Sequence, residues 1–213
     1  MKRKIVLMAL IVCIVVVAYL LIVKNSSKDI YSSLVYIESI SNEEIKTGSG
    51  FVYKIDNGRN YIITSYHVIE NSSYINVYNK KKQHKEAFIE SYDEYNDIAV
   101  LYIDNDLGFK SAKLGNSDRL KINEDVYVVG NPLNIENFAT KTKGKVLDLN
   151  ALDDIFDFSV IEISASVDYG SSGSPVINKK GQVIGMVFLK KDSSESLSFV
   201  IPINYILNRL KEG

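Results

Sequence analysis

Gly170-Ser171-Ser172-Gly173-Ser174-Pro175 sets three serines among glycines and a proline, between two runs of strand-forming residues. A hydroxyl that attacks a carbonyl must stand exposed on a tight bend, with backbone N–H groups beside it to hold the oxyanion that develops. The hexapeptide has that make-up, and so does a plain turn between strands. A base and a carboxylate elsewhere in the chain would separate the two readings. The chain has two histidines to offer as a base active near neutral pH. His84 lies in the charged run Lys80-Lys81-Lys82-Gln83-His84-Lys85, which reads as a solvated loop. His67 lies in Thr64-Ser65-Tyr66-His67-Val68-Ile69, where the chain leaves a strand. The carboxylate must fix the imidazole's tautomer from its other nitrogen. Asp97 suits that role, because it opens the apolar run Asp97-Ile98-Ala99-Val100-Leu101-Tyr102-Ile103 and so stands at the entrance to a core.

The elements that must position these residues are short runs rich in Val, Ile, Tyr and Phe, separated by turn residues. Six precede the segment 113–124, at 34–40, 50–55, 60–64, 74–79, 87–92 and 97–103. Six follow it, at 125–130, 138–147, 158–163, 174–178, 181–189 and 197–201. Strands of this length and spacing predict an all-β protein of two six-stranded antiparallel barrels. The expected division is 34–116 for the first barrel and 117–201 for the second. Ile203, Ile206, Leu207 and Leu210 recur at helical spacing, so a helix is expected to close the chain over 202–213. His, Asp and Ser then fall in that chain order at the ends of three strand segments, two in the first half and one in the second. Such an arrangement suits a cleft between two barrels.

Residues 5–23 carry no charge and are long enough for a helix of about 20 apolar residues to cross a bilayer. Lys2, Arg3 and Lys4 precede them as a cytoplasmic tip of residues 1–4, and the positive-inside tendency places everything after Lys24 outside the cytoplasm. The competing reading, a cleaved signal peptide, lacks a small-residue cleavage site after Val23. A retained anchor is therefore expected, followed by a polar tether over 24–33. Cys13 is the single cysteine and sits inside the apolar run, so the exported part has no disulfide. The net charge of −1 includes the three positive charges of the tip, which leaves the remainder at −4. A general nucleic-acid binder is not expected at that balance.

From about Ser33 to Arg209 the chain resembles chymotrypsin-fold (trypsin-like) serine proteases of the HtrA/DegP-like branch. Gly48-Ser49-Gly50-Phe51-Val52 resembles that family's G-S-G-F segment, and Thr64 to Val68 its T-x-x-H-V histidine segment. Asp97 to Ile103 resembles the aspartate strand, Lys113-Leu114-Gly115-Asn116-Ser117 the connection between barrels, and Gly130-Asn131-Pro132 the G-N-P turn. Gly170 to Pro175 falls on the G-N-S-G-G-P nucleophile loop, and Ser198 to Ile203 is similar to the F-A-I-P segment that enters the last helix.

The resemblance implies Ser172 as nucleophile, His67 as general acid and base, Asp97 as its orienting partner, and the N–H groups of Gly170 and Ser172 as oxyanion hole. It implies peptide-bond hydrolysis through an acyl-enzyme, protein or peptide substrates, no metal and no organic cofactor. In this fold the base of the specificity pocket falls near Ser166, with Asp168 and Tyr169 close by; an uncharged Ser166 points to small or medium apolar side chains. Ser171 stands where the family has Asn or Asp, and Ser174, in place of Gly, puts a hydroxymethyl where it can narrow the cleft. Trimers are common in the family, so a homo-oligomer is among the expectations, and its C-terminal PDZ module is expected to be absent. The alternative to a membrane-anchored endopeptidase is a latent or non-catalytic relative that binds peptides or serves as a scaffold.

Overall fold

The structure, a computed structural model, describes residues 30–42, 44–104, 107–131, 135–151, 156, 158–191 and 197–212, together with Cys13. The expected anchor over 5–23 lies outside these apart from Cys13, which is exposed. Among the described residues no helix is long and apolar enough to cross a membrane. Ile30 to Ser33, read in the sequence as the end of the tether, form a helical turn with Ile30 buried in the core.

Alternation of β-branched and aromatic residues builds strands wherever one face can be buried. The first half contains β1 (Leu34–Ile40), β2 (Ile45–Asp56), β3 (Arg59–Thr64), β4 (Tyr74–Tyr78), β5 (His84–Glu86), β6 (Phe88–Asp93) and β7 (Ile98–Asp104). A four-residue helix, α1 (Tyr66–Ile69), follows β3. Asn57 and Gly58, both at positive φ, turn β2 into β3, a two-residue connection whose twist suits a hairpin. The strands form one sheet in the order β5-β4-β1-β2-β3-β7-β6. The expected six-stranded first barrel is therefore an open seven-stranded sheet, and the extra strand, β5, comes from the charged run taken for a loop. Neither edge is built to close it. β5 is three residues long, and β6 is exposed along nearly its whole length.

The second half meets the expectation of a six-stranded barrel. β8 (Asp125–Gly130), β9 (Thr140–Ala151), β10 (Val160–Ile163), β11 (Pro175–Ile177), β12 (Val183–Lys191) and β13 (Leu197–Pro202) close in the order β10-β13-β12-β11-β8-β9. The chain then runs directly into α2 (Ile203–Glu212).

Two of the three apolar clusters fill the halves separately, one under the first sheet around Ile37, Val52, Ile62 and Leu101, the other inside the barrel around Val128, Ile163, Val176 and Val200. The third joins them. Leu34, Phe51, Ile63 and Ile98 from the first half pack in one cluster with Val129, Met186, Ile201 and Ile203 from the second. Residues on the two sides of this seam are thereby fixed relative to one another.

Candidate active site

His67 owes its position to a close approach of α1 to β2. A Cβ at Gly48 would stand 2.6 Å from Val68 Cγ1, so only glycine lets the helix lie this close to the strand. Asp97 supplies what the helix start lacks. Ser65 gives no side-chain cap, and the Asp97 carboxylate instead accepts the backbone N–H of His67 at 2.8 Å while the Asp97 carbonyl accepts that of Tyr66 at 3.3 Å. The second carboxylate oxygen, Oδ2, lies 2.8 Å from His67 Nδ1. An ionised carboxylate can only accept, so it holds the proton on Nδ1 and leaves Nε2 with its lone pair. Asp97 adopts φ 52°, a left-handed conformation that aspartate tolerates, at the end of a turn closed by its own N–H donating to Glu94. That turn is braced by Asp93, which accepts both the N–H and the side-chain amide of Asn96 and is gripped in turn by Arg209 of α2 at 2.8 and 3.0 Å.

The loop from Gly170 to Ser174 is held peptide by peptide. The Ser171 N–H donates to Asp168 O, the Gly173 N–H to Val187 O and the Ser174 N–H to Ser171 O. On the carbonyl side, Gly170 accepts from Ser49 Oγ at 2.8 Å and Ser172 from the Ser49 N–H at 2.8 Å. Gly173, at φ 82°, approaches so closely that an added Cβ would lie 2.0 Å from the Ser49 carbonyl. Among the described residues, the N–H groups of Gly170 and Ser172 are the two in this loop without a partner. A trans peptide points its C=O and N–H in opposite directions. Because the Ser171 carbonyl is turned inward to Ser174, the Ser172 N–H points away from it.

A single cleft of about 790 Å³ takes in both groups of residues. His67, Asp97, Gly170, Ser171 and Ser172 line it, with Lys46, Thr47 and Tyr95 on the first-half side. Phe156, Val167 and Phe188 supply an apolar wall on the other side, the two phenylalanine rings meeting edge to face at 5.5 Å. The His67 side chain is 47% exposed and that of Asp97 18%, so the ring faces the opening with the carboxylate behind it. Among the described residues no three His, Cys, Asp or Glu side chains are grouped to hold a metal ion.

Residues 48–186, which contain His67, Asp97 and the whole loop from Gly170 to Ser174, match the family described as the trypsin-like peptidase domain. The chain belongs to that family. Over 164 residues the trypsin-like chain is 37% identical to the serine protease Do-like HtrB of Bacillus subtilis, covering 73% of this chain and 36% of that one. Over 175 residues it is 34% identical to the serine protease Do-like HtrA of Lactococcus lactis subsp. cremoris, covering 76% and 43% respectively. The chain thus spans less than half the length of these curated relatives. Its fold is that of a serine endoprotease from Yersinia pestis, with a TM-score of 0.75 at 24% identity over 89% of this chain and 65% of that one.

Three features of the trypsin-like site differ from the sequence reading or were missed by it. Ser166 is exposed and does not line the cleft, whereas its neighbour Val167 does; along an extended segment successive side chains face opposite ways, and a shift of one residue exchanges the faces. Asp168 lines the cleft. Ser174 does not narrow it. Its hydroxyl is buried against Gly130, where an added Cβ would lie 2.0 Å from Ser174 Oγ, and it has no partner among the described residues. Ser49 and Asn131 stood inside quoted motifs without a role, yet both are fully buried and both touch the loop's support. A polar residue beside glycine in each motif reads as ordinary turn chemistry, so neither carried a distinguishing signal.

Proposed function

We propose that the chain is a serine endopeptidase that cuts peptide bonds through an acyl-enzyme on Ser172. One observation carries the reading. Asp97 holds His67 by ring and backbone together, and the cleft that His67 faces contains Ser172 beside two N–H groups, its own and that of Gly170, that have no partner among the described residues. In the first half-reaction Ser172 Oγ bonds to the scissile carbonyl carbon and its proton passes to His67 Nε2. The resulting oxyanion takes hydrogen bonds from the Gly170 and Ser172 N–H groups, each worth about 2.7–4 kcal/mol to the transition state. The C–N bond then breaks as Nε2 returns the proton to the leaving amine. Water repeats the sequence on the ester, with Nε2 as base, and frees Ser172 and the new carboxylate. The Ser172 hydroxyl donates to nothing among the described residues, so its bond to the imidazole forms with substrate in place.

Phe156, Val167 and Phe188 support a preference for apolar side chains at the residue before the cut. The names of the curated relatives support the protease reading, and the uncharged run over 5–23 supports a single-pass anchor with the domain outside the cytoplasm. The competing reading, a protease-fold peptide binder without turnover, retains the cleft but leaves Ser172 unreactive. A fluorophosphonate probe on the full chain separates them. Labelling of the parent that disappears in Ser172→Ala is expected; a folded parent that stays unlabelled, or labelling that persists in Ser172→Ala, would sink the endopeptidase assignment.

A further inference from the structure

Ser49 lies on β2, in the half of the molecule that does not carry the nucleophile loop, and is fully buried. A hydroxyl has one proton and two lone pairs. Asn131, just after β8, directs two donors at Ser49 Oγ, its backbone N–H at 3.0 Å and its side-chain Nδ2 at 3.3 Å. Both lone pairs are thereby occupied, and the one remaining direction is the proton's, which reaches Gly170 O at 2.8 Å. The amide of Asn131 is itself fixed at both ends, its Nδ2 donating also to Val35 O at 2.9 Å and its Oδ1 accepting the Ala139 N–H at 3.1 Å. Thr64 Oγ1 holds the Ser49 carbonyl at 2.8 Å, so the backbone of Ser49 is anchored as well.

We infer that Ser49, oriented by Asn131, is a positioning residue for the oxyanion-binding loop. Its hydroxyl fixes the Gly170–Ser171 peptide plane through the Gly170 carbonyl, while Asp168 O holds the same plane by the Ser171 N–H. With that plane locked, the N–H groups on either side of it cannot rotate inward to find protein acceptors. The inference rests on the endopeptidase reading for its kinetic consequence and stands apart from it for its structural one. A group that acts only through the oxyanion site stabilises the transition state and not the bound substrate. Loss of the hydroxyl therefore lowers kcat and leaves KM in place.

The test uses the full chain with Ser49→Ala and with Ser49→Cys, which retains a side chain of similar size but a much weaker donor. Two readouts are taken, amide hydrogen exchange at Ser171 and steady-state cleavage of a peptide substrate. The expected result is exchange at Ser171 accelerated at least tenfold with core amides of β2 and β8 unchanged, kcat reduced about 10- to 100-fold, and KM within twofold of the parent. Should Ser49→Ala fail to fold, Ser49→Cys is expected to show the same pattern. Unchanged exchange at Ser171 in a folded variant overturns the inference, as does a lower melting temperature with kcat intact. If the parent has no activity while Ser171 exchange still rises in the variants, the endopeptidase reading falls and the role of Ser49 in holding the loop stands.

Discussion

Asp97 combines two duties that one substitution can separate. In Asp97→Asn one side-chain oxygen still accepts the His67 backbone N–H, but an NH₂ group then faces Nδ1 and forces the proton onto Nε2, the wrong tautomer for a base. We expect Asp97→Asn to fold with a melting temperature near the parent's and to lose about 10⁴-fold in kcat, read by peptide cleavage. Ser174 makes the opposite case. A buried hydroxyl without a partner costs about 1–3 kcal/mol, so Ser174→Ala is expected to raise stability by up to that amount in a thermal melt and to keep fluorophosphonate labelling. A loss of labelling in Ser174→Ala would place Ser174 in the reactive machinery. Residue types alone brought His67 and Asp97 to notice because few side chains can act as a base with an orienting acid. They gave no hint of Ser49 or Asn131, since a serine between glycines and an asparagine before a proline look like turn residues until their burial is known. Val167 and Phe188 were equally invisible, because pocket walls and cores are built from the same side chains.

Among the elements, α1 and the turn before β7 are the parts on which the site depends. Gly48→Ala would drive a methyl into Val68, and an overpacked contact of this kind costs about 1–3 kcal/mol. We expect chemical denaturation to show that loss together with reduced cleavage, because His67 rides on the displaced helix. The turn is held from the far side by Arg209. Burial pushes the Asp93 carboxyl up, but the hydrogen bonds from Asn96 and Arg209 outweigh it and hold the group below the usual carboxylate range. A carboxylate whose affinity for protons is lower in the folded state stabilises the fold above that range, and the contribution fades as acid protonates it. Arg209→Ala is therefore expected to be less stable than the parent at neutral pH, with the difference closing as the pH falls below about 4. A difference that persisted in acid would assign the effect to packing of α2. Most strands were legible from period-two runs of Val, Ile and Tyr. β5 was not, since His84–Glu86 is short and charged and forms a strand only because β4 offers it an edge.

Taken whole, the molecule has a core that crosses its own midline. Met186 is fully buried in the cluster shared by both halves, and Met186→Ala is expected to cost about 2–5 kcal/mol. If the halves behave as one unit, calorimetry will show a single transition that shifts as a whole, with no separate unfolding of either half. Two resolved transitions would refute that coupling. The six strands of the second half were predictable from strand spacing, whereas which half closes was not, because closure depends on whether two edge strands can pair and spacing says nothing of that. The bond from Arg209 to Asp93 also orders events during synthesis. The two residues are 116 apart in sequence, which a ribosome covers in roughly 6 to 23 seconds. Until the chain has emerged through Arg209, the turn that aims Asp97 lacks its brace, so the pairing of Asp97 with His67 reaches its final support only after α2 has been made.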